Sequence, residues 1–165
     1  MEERTEMETA MGIGTEQATL RYLSAATSVH DELRRTLTQV AGYALLLMTS
    51  SGRAPHAEAV IVNAEAAAAK LADGVRELQV PSIAAHHHHH LRSASEGLSH
   101  ACRAAVICAG PGVAERERDD LVRALQGTVE NLRAVSRLIP GFETVNFGQA
   151  CCAVHASAGV GRPLN

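Results

Sequence analysis

Apolar residues recur along this chain at steps of three and four, the spacing that stacks side chains on one face of an α-helix, and the pattern does so in four separate stretches. In the first, Leu20, Leu23, Ala26, Val29 or His30, Leu33, Leu37, Val40, Ala44 and Leu47 form one stripe, which predicts a long helix over residues 15–49. Ser50-Ser51-Gly52-Arg53-Ala54-Pro55 reads as a turn, and Pro55 suits the first position of the next helix because its missing N–H would have no intrahelical partner there. The second helix is predicted over 55–78, through an alanine-rich stretch of high helix propensity. Val80-Pro81-Ser82 interrupts the pattern, a third helix is expected over 82–109, and Gly110-Pro111-Gly112 ends it. The fourth, over 113–138, opens with Glu115, Glu117, Asp119 and Asp120, acids that favour the positive end of a helix dipole. It has the cleanest amphipathic period, with Leu121, Leu125, Val129 and Leu132 expected to face inward.

Four helices joined by short turns pack most simply as an antiparallel up-and-down bundle, an all-α fold. Residues 1–14 carry four glutamates and no apolar period, so a flexible acidic leader is expected there, with the bundle over 15–139 and a Gly- and Ala-rich tail over 140–165. Gly52 and Gly112 lie sixty residues apart, as do His30 and His90, a spacing that suggests two copies of one helical hairpin.

Composition narrows the picture. The chain has 165 residues, enough for one domain with a core of its own, and its 46% hydrophobic content comes mainly from Ala, Leu and Val, with aromatics at 2% and no Trp. Small side chains suit close helix packing better than a sandwich or barrel. A formal net charge of −3 leaves no basic field to displace counterions from phosphates, so nucleic acid is not an expected partner. No apolar run reaches the length of a membrane span, and the acidic N-terminus is unlike a secretory signal, which leads to the expectation of a cytoplasmic protein without membrane contact. Cys102, Cys108, Cys151 and Cys152 lack zinc-ribbon spacing and are read as reduced thiols. No phosphate loop, nucleophile elbow or zinc-protease motif is present, and no cofactor is expected.

Two histidine constellations remain. The first is His30-Asp31-Glu32-Leu33-Arg34-Arg35-Thr36-Leu37-Thr38 in the first helix. A histidine beside a carboxylate can act as a nucleophile toward phosphorus, the acid orienting the ring or accepting its proton. The same residues read equally as a polar helix face. The segment resembles the phosphoacceptor box of sensor histidine kinases, whose motif runs His-Asp-x-Leu followed by Leu-Thr, and Val40 to Leu47 looks like the rest of a kinase dimerisation helix. Arg34-Arg35 stands where that class tends to have Gly-Gln, and no segment resembles the kinase ATP-binding domain, so autophosphorylation is not expected.

The second is His86-His87-His88-His89-His90 followed by Leu91-Arg92-Ser93-Ala94-Ser95-Glu96-Gly97-Leu98-Ser99. Aligned on His89, it resembles the histidine phosphotransfer (HPt) motif, His-x-Leu-Lys-Gly-Ser-Ser-x-x-Leu-Gly, with Arg92 in place of the lysine and Ser93 and Ser99 in place of two glycines. The resemblance implies a phosphoryl group accepted on His89, with Arg92 neutralising it, in docking with a response-regulator receiver domain. His30 with Asp31 ranks second as acceptor. The run also admits an exposed polar stretch, a tag remnant, or weak transition-metal binding by His86 and His90, which lie four apart and share a helix face. The expected function is therefore phosphotransfer, or receiver docking, in two-component signalling. The alternative is a non-enzymatic helical scaffold with incidental histidines, and a homodimer is compatible with either.

Overall fold

The computed structural model describes residues 2–49 and 55–138, with side chains over 14–49 and 59–138. The predicted tail, with Cys151 and Cys152, lies outside the described residues, as does the first turn. The chain is an all-α four-helix bundle: α1 (Glu2–Thr49), α2 (Pro55–Glu77), α3 (Ala85–Cys108) and α4 (Glu115–Leu138), with a short 3-10 turn at Ser82–Ala84 leading into α3. Helices that are neighbours in sequence pack against each other and run antiparallel. Pro81, extended at φ −67° and ψ 150°, forces the break before α3, and Ala84 N–H donates to Pro81 O at 2.9 Å to close the 3-10 turn. The α3–α4 turn contains Gly112 at φ 69°, a left-handed conformation in which a side chain would be strained.

Helix α1 begins at Glu2 rather than near Thr15. Residues 2–11 are mostly residues of moderate to good helix propensity, three of the first five, Glu2, Glu3 and Glu6, being acids near the positive end of the dipole, and each of Gly12 and Gly14 costs only about 1 kcal/mol. At about 1.5 Å per residue, the 48-residue α1 is roughly 72 Å long and the 23-residue α2 roughly 35 Å. Since Tyr22 meets the first turn of α3, the N-terminal part of α1 extends beyond its partners, and residues 14–21 are exposed apart from Thr19.

The four helices do not share the core equally. Helix α3 packs against all the others and most extensively against α4, while α4 makes only a lesser contact with α1. The reason is side-chain size: Ala94, Ser95, Ala101, Cys102, Ala104 and Ala105 cover the buried surface of α3 and let neighbouring backbones approach. Gly97 is the most tightly enclosed of the described glycines, where an added Cβ would stand 2.6 Å from the Thr128 hydroxyl oxygen of α4. Into this small-residue surface fit Leu33 and Val40 from α1, Ile61 and Val75 from α2, and Leu121, Leu132 and Val135 from α4. Leu125 and Val129, expected inside, are half-buried, because a helix leaning mainly on one partner buries a narrower stripe. In α1, Leu20 is 66% exposed and Tyr22 at 2% takes the buried position.

The two hairpins match in burial. Ala26, Leu33, Val40 and Ala44 are buried, as are Ala84, Leu91, Leu98 and Cys102 fifty-eight positions later. In the second helix of each hairpin the matching buried pairs are Ile61 with Leu121, Ala68 with Thr128 and Val75 with Val135, sixty apart. The register of α1 onto α3 thus pairs His30 with His88, two residues short of the spacing that sequence alone suggests.

Gly97→Ala should destabilise the protein by roughly 1–3 kcal/mol through overpacking, and Thr128→Ala should reverse part of that loss, since it removes the hydroxyl that the new methyl strikes. Chemical denaturation of the two single variants and the double variant checks this. Additive losses would contradict the close approach.

Candidate functional site

Five histidines in succession on a helix point in five directions, since each residue turns about 100° from the last. What fixes their directions is one buried contact. His87, 3% exposed, faces α1, where the Tyr22 hydroxyl lies 2.7 Å from its Nδ1 and the two rings meet edge-on with centroids 5.6 Å apart. A phenol is the stronger donor of the two, so Tyr22 donates and Nδ1 accepts, which puts the ring proton of neutral His87 on Nε2. Burial pushes the Tyr22 phenol up to about 12, keeping it a donor at every physiological pH.

With His87 turned inward, the other four are assigned. His89 is exposed. His86 is exposed and its ring lies edge-on to that of His90, with centroids 4.8 Å apart. His90 is half-buried against α4, where its Nδ1–H donates to Asn131 Oδ1 at 2.9 Å, and the Asn131 amide is itself held by donation to Gly127 O at 2.9 Å. Because Asn131 presents only an acceptor there, neutral His90 keeps its lone pair on Nε2. His88 is half-buried, and burial followed by the nearby Arg92 charge lowers its pKa.

His30 projects from α1 into the same interior and is 1% exposed, close enough to His87 to act on its charge. Its Nδ1 lies 3.7 Å from Asp31 Oδ1. Burial and then Arg34 lower its pKa, while Asp31 works in the opposite sense. Burial, reinforced by His30, His88 and His90, lowers His87 to about 4.

The predicted site residues therefore separate. His89 and Arg92 are both exposed, three residues apart on α3, while Leu91 and Leu98 are fully buried. Arg92 Nε donates to Glu96 Oε1 at 2.8 Å, one turn on. His30 is enclosed, whereas Asp31 is exposed and lines a groove of about 540 Å³ between α1 and α2 whose other polar walls are Ser28, Glu32, Arg35 and Lys70. This groove is of mixed charge, with Arg35 paired to Glu32 and Arg34 to Asp31. Sequence reasoning missed Tyr22, Asn131 and the inward turn of His87. Tyr22 lies at helical spacing from Ala26 and Leu33, which is the signal that would have found it.

Among the described residues, no three His, Cys, Asp or Glu side chains are gathered to hold a metal ion, and no helix is long and apolar enough to cross a membrane. Comparison with known proteins finds no matching family model, no similar curated protein and no similar solved structure.

Two measurements follow from the interior. A histidine held neutral by the fold withdraws stability when the unfolded chain takes up its proton, so the His87 contribution is complete above its unfolded pKa near 6.5 and is lost as pH falls toward about 4. Equilibrium unfolding should lose up to about 3 kcal/mol over that window, and a flat profile would contradict the enclosure of His87. Cys102 is free, buried and pushed up to about 11, first by desolvation, whereas Cys108 is free and half-buried. Alkylation of native protein should label Cys108 well before Cys102, and unfolding should equalise them.

Proposed function

We propose that this bundle serves two-component signalling as a phosphotransfer protein, with His89 as phosphoacceptor and a receiver domain as partner. The observation that carries the reading is the orientation of the histidine run: of its two exposed members, His86 and His89, the one that the HPt resemblance selects has a cation, Arg92, one turn away and leucines buried beneath. In the transfer, an imidazole lone pair of His89 attacks the phosphorus of the receiver's acyl phosphate. An N–P bond forms, the P–O bond to the aspartate breaks, and the carboxylate leaves with that electron pair. Arg92 supplies positive charge to the phosphoryl oxygens, exchanging Glu96 for the phosphate as it does so. His30 ranks second because an acceptor that is 1% exposed requires the α1–α3 interface to open before phosphorus reaches it. We place the protein in the cytoplasm, where receiver domains reside.

The second reading is a helical scaffold with incidental histidines. Its support is the set of exposed apolar side chains near the α1–α2 turn, Leu45, Leu46, Met48, Val60 and Val62, which suits a contact surface better than a solvent face.

Incubation with phosphorylated receiver domains should label the wild type with an acid-labile phosphohistidine. His30→Gln should keep the label, and His89→Gln should reduce it at least about tenfold. Replacement of all of His86 to His90 by Gln, with full labelling retained, would move the site to His30, and no labelling of the wild type by any receiver would leave the scaffold reading.

A further inference from the structure

We propose that His86 and His90 form an open, two-imidazole site for a divalent transition metal such as Ni²⁺, Cu²⁺ or Zn²⁺. The site is distinct from the phosphoacceptor role of His89 and does not rest on it. Residues four apart are neighbours on a helix surface, so these two rings can converge on one ion, while the adjacent rings of His89 and His90 stand farther apart, with centroids at 5.4 Å. Their ring centroids stand 4.8 Å apart. Two imidazoles that share an ion through metal–nitrogen bonds of about 2.0–2.1 Å, at a ligand–metal–ligand angle of about 90–110°, have centroids about 4.5–5.2 Å apart, so the rings are already at the separation that chelation needs.

Two members of the run are held by other helices. His87 is turned inward to Tyr22, and His90 is the member fixed from outside, by the chain of Nδ1–H to Asn131 Oδ1 and Asn131 Nδ2–H to Gly127 O. Donation from one ring nitrogen to a fixed oxygen is the arrangement that holds a ligating histidine in orientation and leaves its other nitrogen to the metal. Helix α4 thus acts as the outer support of a site carried on α3. With two protein ligands, the remaining coordination positions belong to water or to a ligand from a partner, which makes this an open site of modest affinity.

Calorimetric titration of the full chain with NiCl₂ and ZnCl₂ tests the assignment. Wild type should bind one ion. His86→Gln and His90→Gln should each weaken binding at least about tenfold, and Asn131→Leu should weaken it about tenfold with both ligands still present. His88→Gln and His89→Gln should stay within about threefold of wild type. Circular dichroism of each variant confirms that the helices remain, and the ion should raise the melting temperature of wild type but not of the His86→Gln/His90→Gln double variant. Equal losses from all four single histidine variants would show that the run binds statistically, in any register, and would overturn the site. So would absence of binding at millimolar metal.

Discussion

The hydrogen bond between Tyr22 and His87 sets the rotation of α3, and through it the assignment of every histidine in the run. The bond joins residues sixty-five positions apart and is enclosed on both sides. If His87 were turned to solvent, His89 would turn inward and the present separation of an exposed face from an interior face would vanish. A polar contact is an unusual anchor for a helix, because an imidazole and a phenol stripped of water must find each other to offset their desolvation. Here it succeeds because the surrounding core is made of small side chains that leave room for two rings. The same contact relates the two hairpins, since it ties the start of α3 to the part of α1 that the first hairpin leaves uncovered.

Helix α3 is the hub of the bundle, and its alanines explain both the fold and its weak points. A core of Ala, Ser and Cys contributes less apolar area per residue than one of Leu and Phe, so stability depends on close backbone approach rather than on large buried side chains. Gly97 against Thr128 shows how little clearance remains. The larger buried residues are spread over all four helices, as Leu33, Val75, Leu98 and Leu132. Buried histidines in such a core make it sensitive to acid, because two of them, His30 and His87, lie together and resist taking up protons.

The helices were legible in the sequence because their ends are written in glycine and proline. Pro55, Pro81 and Gly110-Pro111-Gly112 fall at the breaks, and the predicted ends of α2, α3 and α4 lie within three residues of the observed ones. Which face each helix buries was legible where the apolar period is regular, as at Leu33, Val40, Leu121 and Leu132, and less so where one partner dominates, as for Leu125 and Val129. The orientation of the histidine run was not legible, because five identical residues have no period and the contact that orients them comes from another helix. The enclosure of His30 was left open for a related reason: it shares its stripe with Val29, and its neighbours Asp31 and Glu32 read as a solvated face. Asn131 carried no signal at all, since its role depends on α4 lying beside the first turns of α3.

The central claim is that the fold, and not the composition of the run, distinguishes one histidine from the next. Acylation of native protein with diethyl pyrocarbonate at neutral pH, mapped residue by residue by fragmentation mass spectrometry, tests it directly, because the reagent needs an accessible, unprotonated ring nitrogen. His89 should be modified rapidly, with His30 and His87 protected until the protein is unfolded. Modification of His87 at the rate of His89 would contradict it.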